Sequence, residues 1–389
     1  MDESQPEAIH LSEALISLGH VRHNAREVKA AVGKACAVMA IVKANGYGHG
    51  ANEVATALCG EGITAFGVAN INEAVSLRNQ MRMLNTPAPT SPASILAFAS
   101  PLAGQLESYV KHEIELTLGD FKSMRTAELI AAKFGRKISV HLKIDTGMGR
   151  LGVQPRDAMT LATAIEASPH LDLKAIYTHF ASSGDDKTFT RHQLKEYLSL
   201  VREFEHLHHR RVVKHAANSG AVISDRTTHL DMVRPGVLLY GYTPSSKLKT
   251  SLDLRPAMQL QSRITFVKQI EKGTSVSYGR KWTAKRRTGI ATVSIGYADG
   301  VHRSLSGLTK VSVRGRLYPQ VGAVTMDQLM IDIGTDERIS AGDTAVLFGW
   351  TGDGGTVAPS LNHLAERSGT IGYELLCAVS PRVKRVFID

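Results

Sequence analysis

Lys43 closes a short apolar run, Ala37-Val38-Met39-Ala40-Ile41-Val42, and the chain then breaks into Ala44-Asn45-Gly46-Tyr47-Gly48-His49-Gly50. The run reads as a buried strand, which puts an amine at the mouth of a core. Burial disfavours the ammonium form, and a partly neutral lysine is a nucleophile toward aldehydes and a usable base. Tyr47 follows four residues later, on a segment that glycine leaves free to approach a ligand closely. Two other readings share these residues. A lysine at a strand end can be a plain solvated terminus, and Gly46-Tyr47-Gly48-His49-Gly50-Ala51 matches the dinucleotide turn G-x-G-x-x-A.

Further chemistry-bearing residues stand at similar junctions. In His141-Leu142-Lys143-Ile144-Asp145-Thr146-Gly147-Met148-Gly149-Arg150-Leu151-Gly152 a strand ends near Asp145, and three glycines within six residues shape a loop that presents Arg150. An arginine's planar fork can hold two oxygens at once. His179 ends a strand in Ala175-Ile176-Tyr177-Thr178-His179-Phe180. His215-Ala216-Ala217-Asn218-Ser219-Gly220 ends another and opens a helix at Ser219. A serine there is either a plain N-cap or, with exposed amides beside it, a phosphate site. Val233-Arg234-Pro235-Gly236-Val237-Leu238-Leu239-Tyr240-Gly241 reads as one more strand, carrying a second arginine.

The elements that position these residues follow an alternating pattern. Strands are expected near 38–43, 64–69, 94–99, 114–118, 138–144, 173–178, 212–216 and 232–239. Helices are expected between them, at 71–83, 121–134, 155–167 and 190–207 among others. Eight strands alternating with helices predict a closed (β/α)8 barrel of the TIM type rather than an open sheet. Leu11, Leu15, Leu18 and Val28 predict a helix over 11–32 that precedes the first strand and completes the ring. The pattern changes after Tyr242. Thr243-Pro244-Ser245-Ser246 reads as a linker, and strands at 258–268, 289–295, 310–315, 328–333 and 344–348 follow without intervening helices, then a helix from Pro359 to Arg367. Gly279, Gly300, Gly315 and Asp353-Gly354-Gly355 mark turns. The expectation is a barrel domain of residues 1–242 and a mostly antiparallel β-domain of 243–389.

Composition narrows the function classes. Of 389 residues, 46 are Lys or Arg and 36 Asp or Glu, a net charge of +10 that suits an anionic ligand. The basic runs Lys285-Arg286-Arg287 and His208-His209-Arg210-Arg211 are too short for a nucleic-acid footprint. Cys36, Cys59 and Cys377 give neither a disulfide framework nor a metal spacing, which suits a reducing cytoplasm. The start Met1-Asp2-Glu3-Ser4-Gln5-Pro6 is acidic and polar, unlike a secretory signal, and no apolar run approaches a membrane span.

The stretch Val42–Gly50 resembles the cofactor-lysine motif of alanine racemases, which carry pyridoxal 5'-phosphate (PLP) covalently on that lysine. The segment around Arg150 resembles a second signature of this family. The resemblance gives Arg150 the cofactor's phenolic oxygen and the substrate carboxylate, and Lys143 a position that is carbamylated in some members. It sets His179 beside the cofactor ring, Arg234 at the pyridine nitrogen, and Tyr47, Asn218, Ser219, Gly236, Val237 and Tyr373 in the cofactor site. In Val276-Ser277-Tyr278-Gly279-Arg280 it makes Tyr278 the second catalytic base, brought from the neighbouring subunit of a homodimer with shared active sites. Tyr297, in Val293–Gly300, is implied to gate the entry, and Met326 and Asp327 to lie near the substrate carboxylate. Tyr373 also narrows the pocket. No metal is implied. The motifs keep the family's order from Lys43 to Tyr373.

The resemblance therefore implies a PLP-dependent racemase interconverting L-alanine and D-alanine. The product would serve either as a peptidoglycan precursor or in alanine catabolism. Departures are few: Gly46, Gly372, Ala323 and Thr325 stand where many members carry other residues, and none of the four holds a chemical role. A decarboxylase of the same architecture would need room that Tyr297 and Tyr373 deny. A PLP carrier would resemble the barrel alone, and a nucleic-acid binder has only the net charge in its favour.

Overall fold

Short strands that are apolar along nearly their whole length suit a parallel sheet covered on both faces. Eight strands, of which the first three are of this kind, pair in parallel and close on themselves: Ala37–Ile41, Ala65–Val68, Ser94–Ala97, Glu115–Leu118, Ile138–Lys143, Leu171–Tyr177, Val213–Asn218 and Met232–Arg234. The ring closes where Ala37 and Val38 pair with Met232 and Val233. This is a computed structural model describing residues 10–83, 93–350 and 358–389. They divide into two units: Val21–Leu254, which contains the barrel, and the described residues up to His20 with Arg255–Asp389.

Helices Ile71–Met83, Phe121–Lys133, Pro155–Glu166 and Lys187–Leu207 lie at the expected places, with Ala51–Gly60 and Leu106–His112 in addition. Asp120 and Asp186 cap two of them, each accepting the N–H of the residue three further on. Met39, Ile41, Ala65 and Leu96 form one apolar core cluster of the barrel. A polar group shares the interior: Glu115, Thr117, His141, Lys143, His215 and Arg234 are all buried. The last strand is shorter than expected. It ends at Arg234, and Val237–Tyr240 winds into a 3₁₀ turn instead of continuing. Pro235 has no N–H to donate to a neighbouring strand, so the ladder stops there.

The second unit is a mostly antiparallel sheet. Thr288–Val293, Leu329–Gly334, Arg316–Val321, Lys310–Val313, Thr344–Phe348 and Met258–Ile270 pair in that order, and Met258–Ile270 also pairs back onto Thr288–Val293. Its core includes Ile270, Val276, Ala284, Ile290 and Val321. Helices Leu361–Arg367 and Gly372–Ala378 and the strand Lys384–Ile388 complete it. Gly279, Gly300 and Gly315 all have positive φ, as turn residues should, whereas Asp353-Gly354-Gly355 lies outside the described residues.

The expected helix over 11–32 is corrected at its start. Glu13–Ser17 is a strand, antiparallel to Met258–Gln261 and parallel to Lys384–Ile388, and the helix spans Leu18–Val32. The leucine spacing fits a helix, but Ala14 and Ile16 alternate into the core of the sheet and backbone pairing on both edges outweighs the local period. The Ser17 hydroxyl accepts the His20 N–H and starts the helix. Ile16→Ala, at a fully buried position between two strands, is expected to cost about 2–5 kcal/mol of stability in urea unfolding. A loss within about 0.5 kcal/mol, the range of surface substitutions, would show that this strand does not help hold the unit together.

Candidate active site

Every site residue expected on the barrel falls at or just past the C-terminal end of a strand, where barrels build their active sites. Lys43 is half-buried, two residues beyond the first strand. The backbone after it takes an uncommon path. Ala44, Asn45 and Tyr47 each have φ 52°, with Gly46 at 61° and Gly48 at 83°, so Tyr47 lies on a left-handed turn rather than an open loop. Each non-glycine residue held this way costs about 1–2 kcal/mol. Hydrogen bonds oppose that cost: Gly46 N–H donates to Val42 O at 2.8 Å and Gly48 N–H to Ala44 O at 2.9 Å. Glu73 adds an outside brace, one carboxylate oxygen accepting the Ala44 N–H at 2.9 Å and the other the Ala69 N–H at 2.8 Å.

Arg234 lies at the centre of the site, 3% exposed. Its Nη1 donates to His215 Nδ1 at 2.7 Å. Its Nη2 donates to the carbonyls of Thr178 at 2.7 Å and Ala216 at 3.0 Å, and more distantly to His179 Nδ1 at 3.3 Å. The guanidinium also lies 5.2 Å from the Tyr177 ring centre. Burial pushes its pKa down to about 10, which leaves it charged at neutral pH. The His179 imidazole is held neutral, well below its usual range, by burial and then by the positive charges of Arg234, Lys143, Arg150 and Lys43. That shared effect brings the four cations within electrostatic reach of one imidazole.

Lys143 ends the fifth barrel strand, 4% exposed, with a buried Nζ that has no hydrogen-bond partner among the described residues. Burial and the neighbouring Arg234 push its pKa down to about 7. Asp145, two residues on, accepts the N–H groups of Gly147, Met148 and Gly149 on a single oxygen at 2.9–3.1 Å. These bonds shape the loop and, against the effect of burial, hold the carboxyl below its usual range. Arg150 at the end of this loop is exposed.

Asn218 caps the helix Ser219–Ser224 through its side-chain oxygen, which accepts the Ala221 N–H at 3.1 Å. Ser219 is buried, and its Oγ accepts the Gly236 N–H at 2.9 Å. A Cβ at Gly236 would collide with the Tyr47 hydroxyl. Ser219, Gly236, the turn starting at Val237 and the Tyr47 hydroxyl therefore form one small polar cradle. Here the N-cap role belongs to Asn218, leaving Ser219 to face the cradle.

The remaining expected residues belong to the β-unit. Tyr278 opens a turn between Ser277 at φ 67° and Arg280 at φ 48°, and is 74% exposed. Tyr297 and Met326 are exposed and their segments clasp: Tyr297 N–H donates to Thr325 O and Ala298 N–H to Met326 O, both at 3.0 Å. Arg382 ties the clasp together, pairing with Asp327 at 2.8 Å and Asp299 at 3.3 Å. Tyr373 lies half-buried in the helix Gly372–Ala378, its hydroxyl pKa raised by burial. Sequence reasoning missed Glu73, Arg382 and the role of His215. Only His215 had a local signal, in the motif that carries Ser219.

Together, fold and strand-end site define a barrel enzyme with an appended antiparallel β-domain. Models of the alanine racemase N-terminal and C-terminal domains match residues 16–244 and 257–387. The chain is 51% identical over 383 residues to the alanine racemase of Chlorobaculum tepidum, covering 98% of this chain and 97% of that one. It resembles the solved alanine racemase of Clostridium difficile with a TM-score of 0.89 at 34% identity, covering 98% and 97% of the two chains. For the Bacillus anthracis alanine racemase with bound L-Ala-P the TM-score is 0.88 at 29% identity, covering 98% and 96%. The chain belongs to the alanine racemase family of PLP-dependent isomerases.

The brace from Glu73 gives a direct test of the Lys43 turn. Glu73→Ala strips two backbone N–H groups of their acceptor and is expected to cost about 1–3 kcal/mol, with faster hydrogen exchange at the Ala44 amide. Unchanged exchange there would mean that the turn stands without Glu73.

Proposed function

We propose that this protein interconverts L-alanine and D-alanine with PLP held on Lys43, using Lys43 and Tyr278 as two bases in a homodimer with shared sites. The observation that carries the reading is the arrangement around Arg234: a half-buried lysine on a strained turn, several converging cations, and a polar cradle beside them. The residues present fit PLP. A Cβ at Gly236 would strike the Tyr47 hydroxyl and break up this arrangement; the hydroxyls of Ser219 and Tyr47 are donors that suit a phosphate, with Asn218 and Val237 beside them and Tyr373 assigned to that end by the family resemblance. When bound, PLP withdraws electrons from the amino acid joined to it and so acidifies the α-hydrogen.

The chain's own residues do the rest. Arg234 would be the residue at the pyridine nitrogen of bound PLP and, as a donor only, could not take a proton from it. Neutral His179 packs beside the ring without adding charge. Arg150 would hold the substrate carboxylate with its fork, with the Met326 amide and Asp327 assigned near that carboxylate and Tyr297 to the entry. Lys43 removes the α-proton of D-alanine, and Tyr278 removes that of L-alanine from the opposite face. The reading draws Tyr278 from the second subunit of an isologous pair. Its support is that Tyr278 is 74%, Met326 52% and Tyr297 43% exposed, apolar surface of the kind that interfaces cover. Among the described residues no helix is long and apolar enough to cross a membrane and no disulfide is formed; a reducing cytoplasm is the compartment proposed.

Lys143 is read as carbamylated. Its nitrogen adds to carbon dioxide and releases a proton, leaving an anion with two oxygens between Arg150 and Arg234. A buried amine with a pKa near 7 and no partner favours this. Labelled ¹³CO₂ is expected to give a carbamate resonance in the native protein that is absent from Lys143→Met. Unfolding takes up one proton at this site between about pH 7 and 10.5 whether the folded group is a neutral amine or a carbamate that reverts to bicarbonate, so stability is expected to rise with pH across that window in either case. Absence of the resonance from the native protein would refute the modification.

Incubation with PLP and L-alanine in D₂O tests the whole reading. D-alanine carrying α-deuterium is the expected product. Tyr278→Phe is expected to slow exchange from L-alanine more than from D-alanine, and Lys43→Ala to abolish both. Equal exchange from both enantiomers in Tyr278→Phe would rule out the two-base assignment.

A further inference from the structure

The bond from Arg234 to His215 is the first of a directed series. An arginine can only donate, so His215 Nδ1 accepts and its proton is on Nε2. That Nε2–H donates to His141 Nδ1 at 3.0 Å. His141 therefore also carries its proton on Nε2, and donates to Glu115 Oε2 at 2.9 Å. The other Glu115 oxygen is held by the Lys174 ammonium. Glu115, His141 and His215 are buried, while Lys174 reaches solvent with a side chain 39% exposed. Glu115 begins the fourth barrel strand, at the end remote from Lys43, so the series runs through the barrel interior. Burial raises the carboxyl of Glu115, but the His141 and Lys174 contacts outweigh it and leave the pKa at about 2.

We propose that Glu115 and Lys174 are positioning residues for Arg234: they fix the tautomers of His141 and His215 and so keep an acceptor facing the guanidinium. An ionised carboxylate can only accept, so it dictates the direction of every bond above it. With His215 reversed, its Nδ1–H would oppose the arginine's own N–H inside the core; with His141 reversed, its Nδ1–H would oppose the His215 Nε2–H and drive that same reversal, and Arg234 would shift from its place. The role of Arg234 toward the cofactor rests on the function proposed above; the tautomers do not.

The test uses ¹⁵N-histidine-labelled full-length protein reconstituted with PLP. His141 and His215 are both expected as Nε2–H tautomers in the wild type, and Nδ1–H at either would overturn the proposal without any variant. Glu115→Gln is the informative change. Lys174, a donor only, draws the amide oxygen to itself and turns the amide NH₂ toward His141. Both tautomers should then reverse or mix, and kcat/KM for racemisation should fall about tenfold or more, as when a supporting hydrogen bond is lost. Glu115→Gln with Lys174→Met frees the amide to turn its oxygen to His141, restoring the tautomers and much of the rate. A merely structural role predicts a double variant no better than the single one, and that result, or lost activity with unchanged tautomers, would overturn the proposal. A wild type with both Nε2–H tautomers but no racemase activity would defeat the proposed function and leave the tautomer lock standing.

Discussion

A guanidinium cation buried in a barrel core, with no carboxylate partner among the described residues, is the constraint on which this site depends. Burying a charge is costly unless hydrogen bonds replace its water. Arg234 is satisfied by two backbone carbonyls at the ends of neighbouring strands, by two imidazole nitrogens and by the face of Tyr177. Each partner is thereby restricted. The imidazoles must stay neutral with Nδ1 free to accept, and Tyr177 must keep its stack on His215 at 4.7 Å. The consequence is a strand-end surface with an excess of positive charge, which calls for anions. In the function proposed above a phosphate and a carboxylate would supply them, in line with the basic balance of the whole chain.

The second constraint is backbone strain placed beside the chemistry. The left-handed turn after Lys43 runs through three non-glycine residues. Such a path persists only where the surroundings over-determine it, and here Glu73, Asn45 and the adjoining helix do so. Asn45 contributes twice, through its carbonyl to Gly50 N–H and its side chain to Ala51 N–H. The gain is rigidity: Lys43 and Tyr47 are fixed relative to Ser219 and Gly236 before any ligand arrives. The β-unit uses the same device, with Ser277 and Arg280 in positive φ on either side of the exposed Tyr278 and its glycine.

Most of the barrel was legible in the sequence because its strands are short, apolar and evenly spaced, and its helices have a clear 3.6-residue period. The failures have particular causes. Glu13–Ser17 looked helical because leucine spacing cannot register pairing with strands more than 240 residues away. The eighth strand was drawn too long because an apolar run continues past Pro235 and hides the 3₁₀ turn. The strand Arg316–Val321 went unread because its exposed face breaks the apolar pattern. In the site, residues inside motifs were found and those outside were not. Glu73 and Arg382 act through single contacts with loops far along the chain, and no local pattern marks them. Glu115 and Lys174 look like ordinary strand charges until the barrel closes and brings them to His141.

The division of chemistry between the two units follows from what the barrel can and cannot offer. The proposed racemisation needs two bases on opposite faces of one carbon. The barrel unit supplies Lys43, but its other titratable groups around Arg234 are poor second bases. Tyr177 is fully buried with its pKa pushed up to about 12. His179 and His215 are neutral, but each has Nδ1 engaged with Arg234. Lys143 shares a strand end with the arginines and is read as modified. A second base must then come from elsewhere, and the β-unit carries an exposed tyrosine on a strained turn, which is how a side chain is presented to a partner surface rather than to its own core. The excess positive charge around Arg234 thus suits both the anions of the ligand and the base that would meet it.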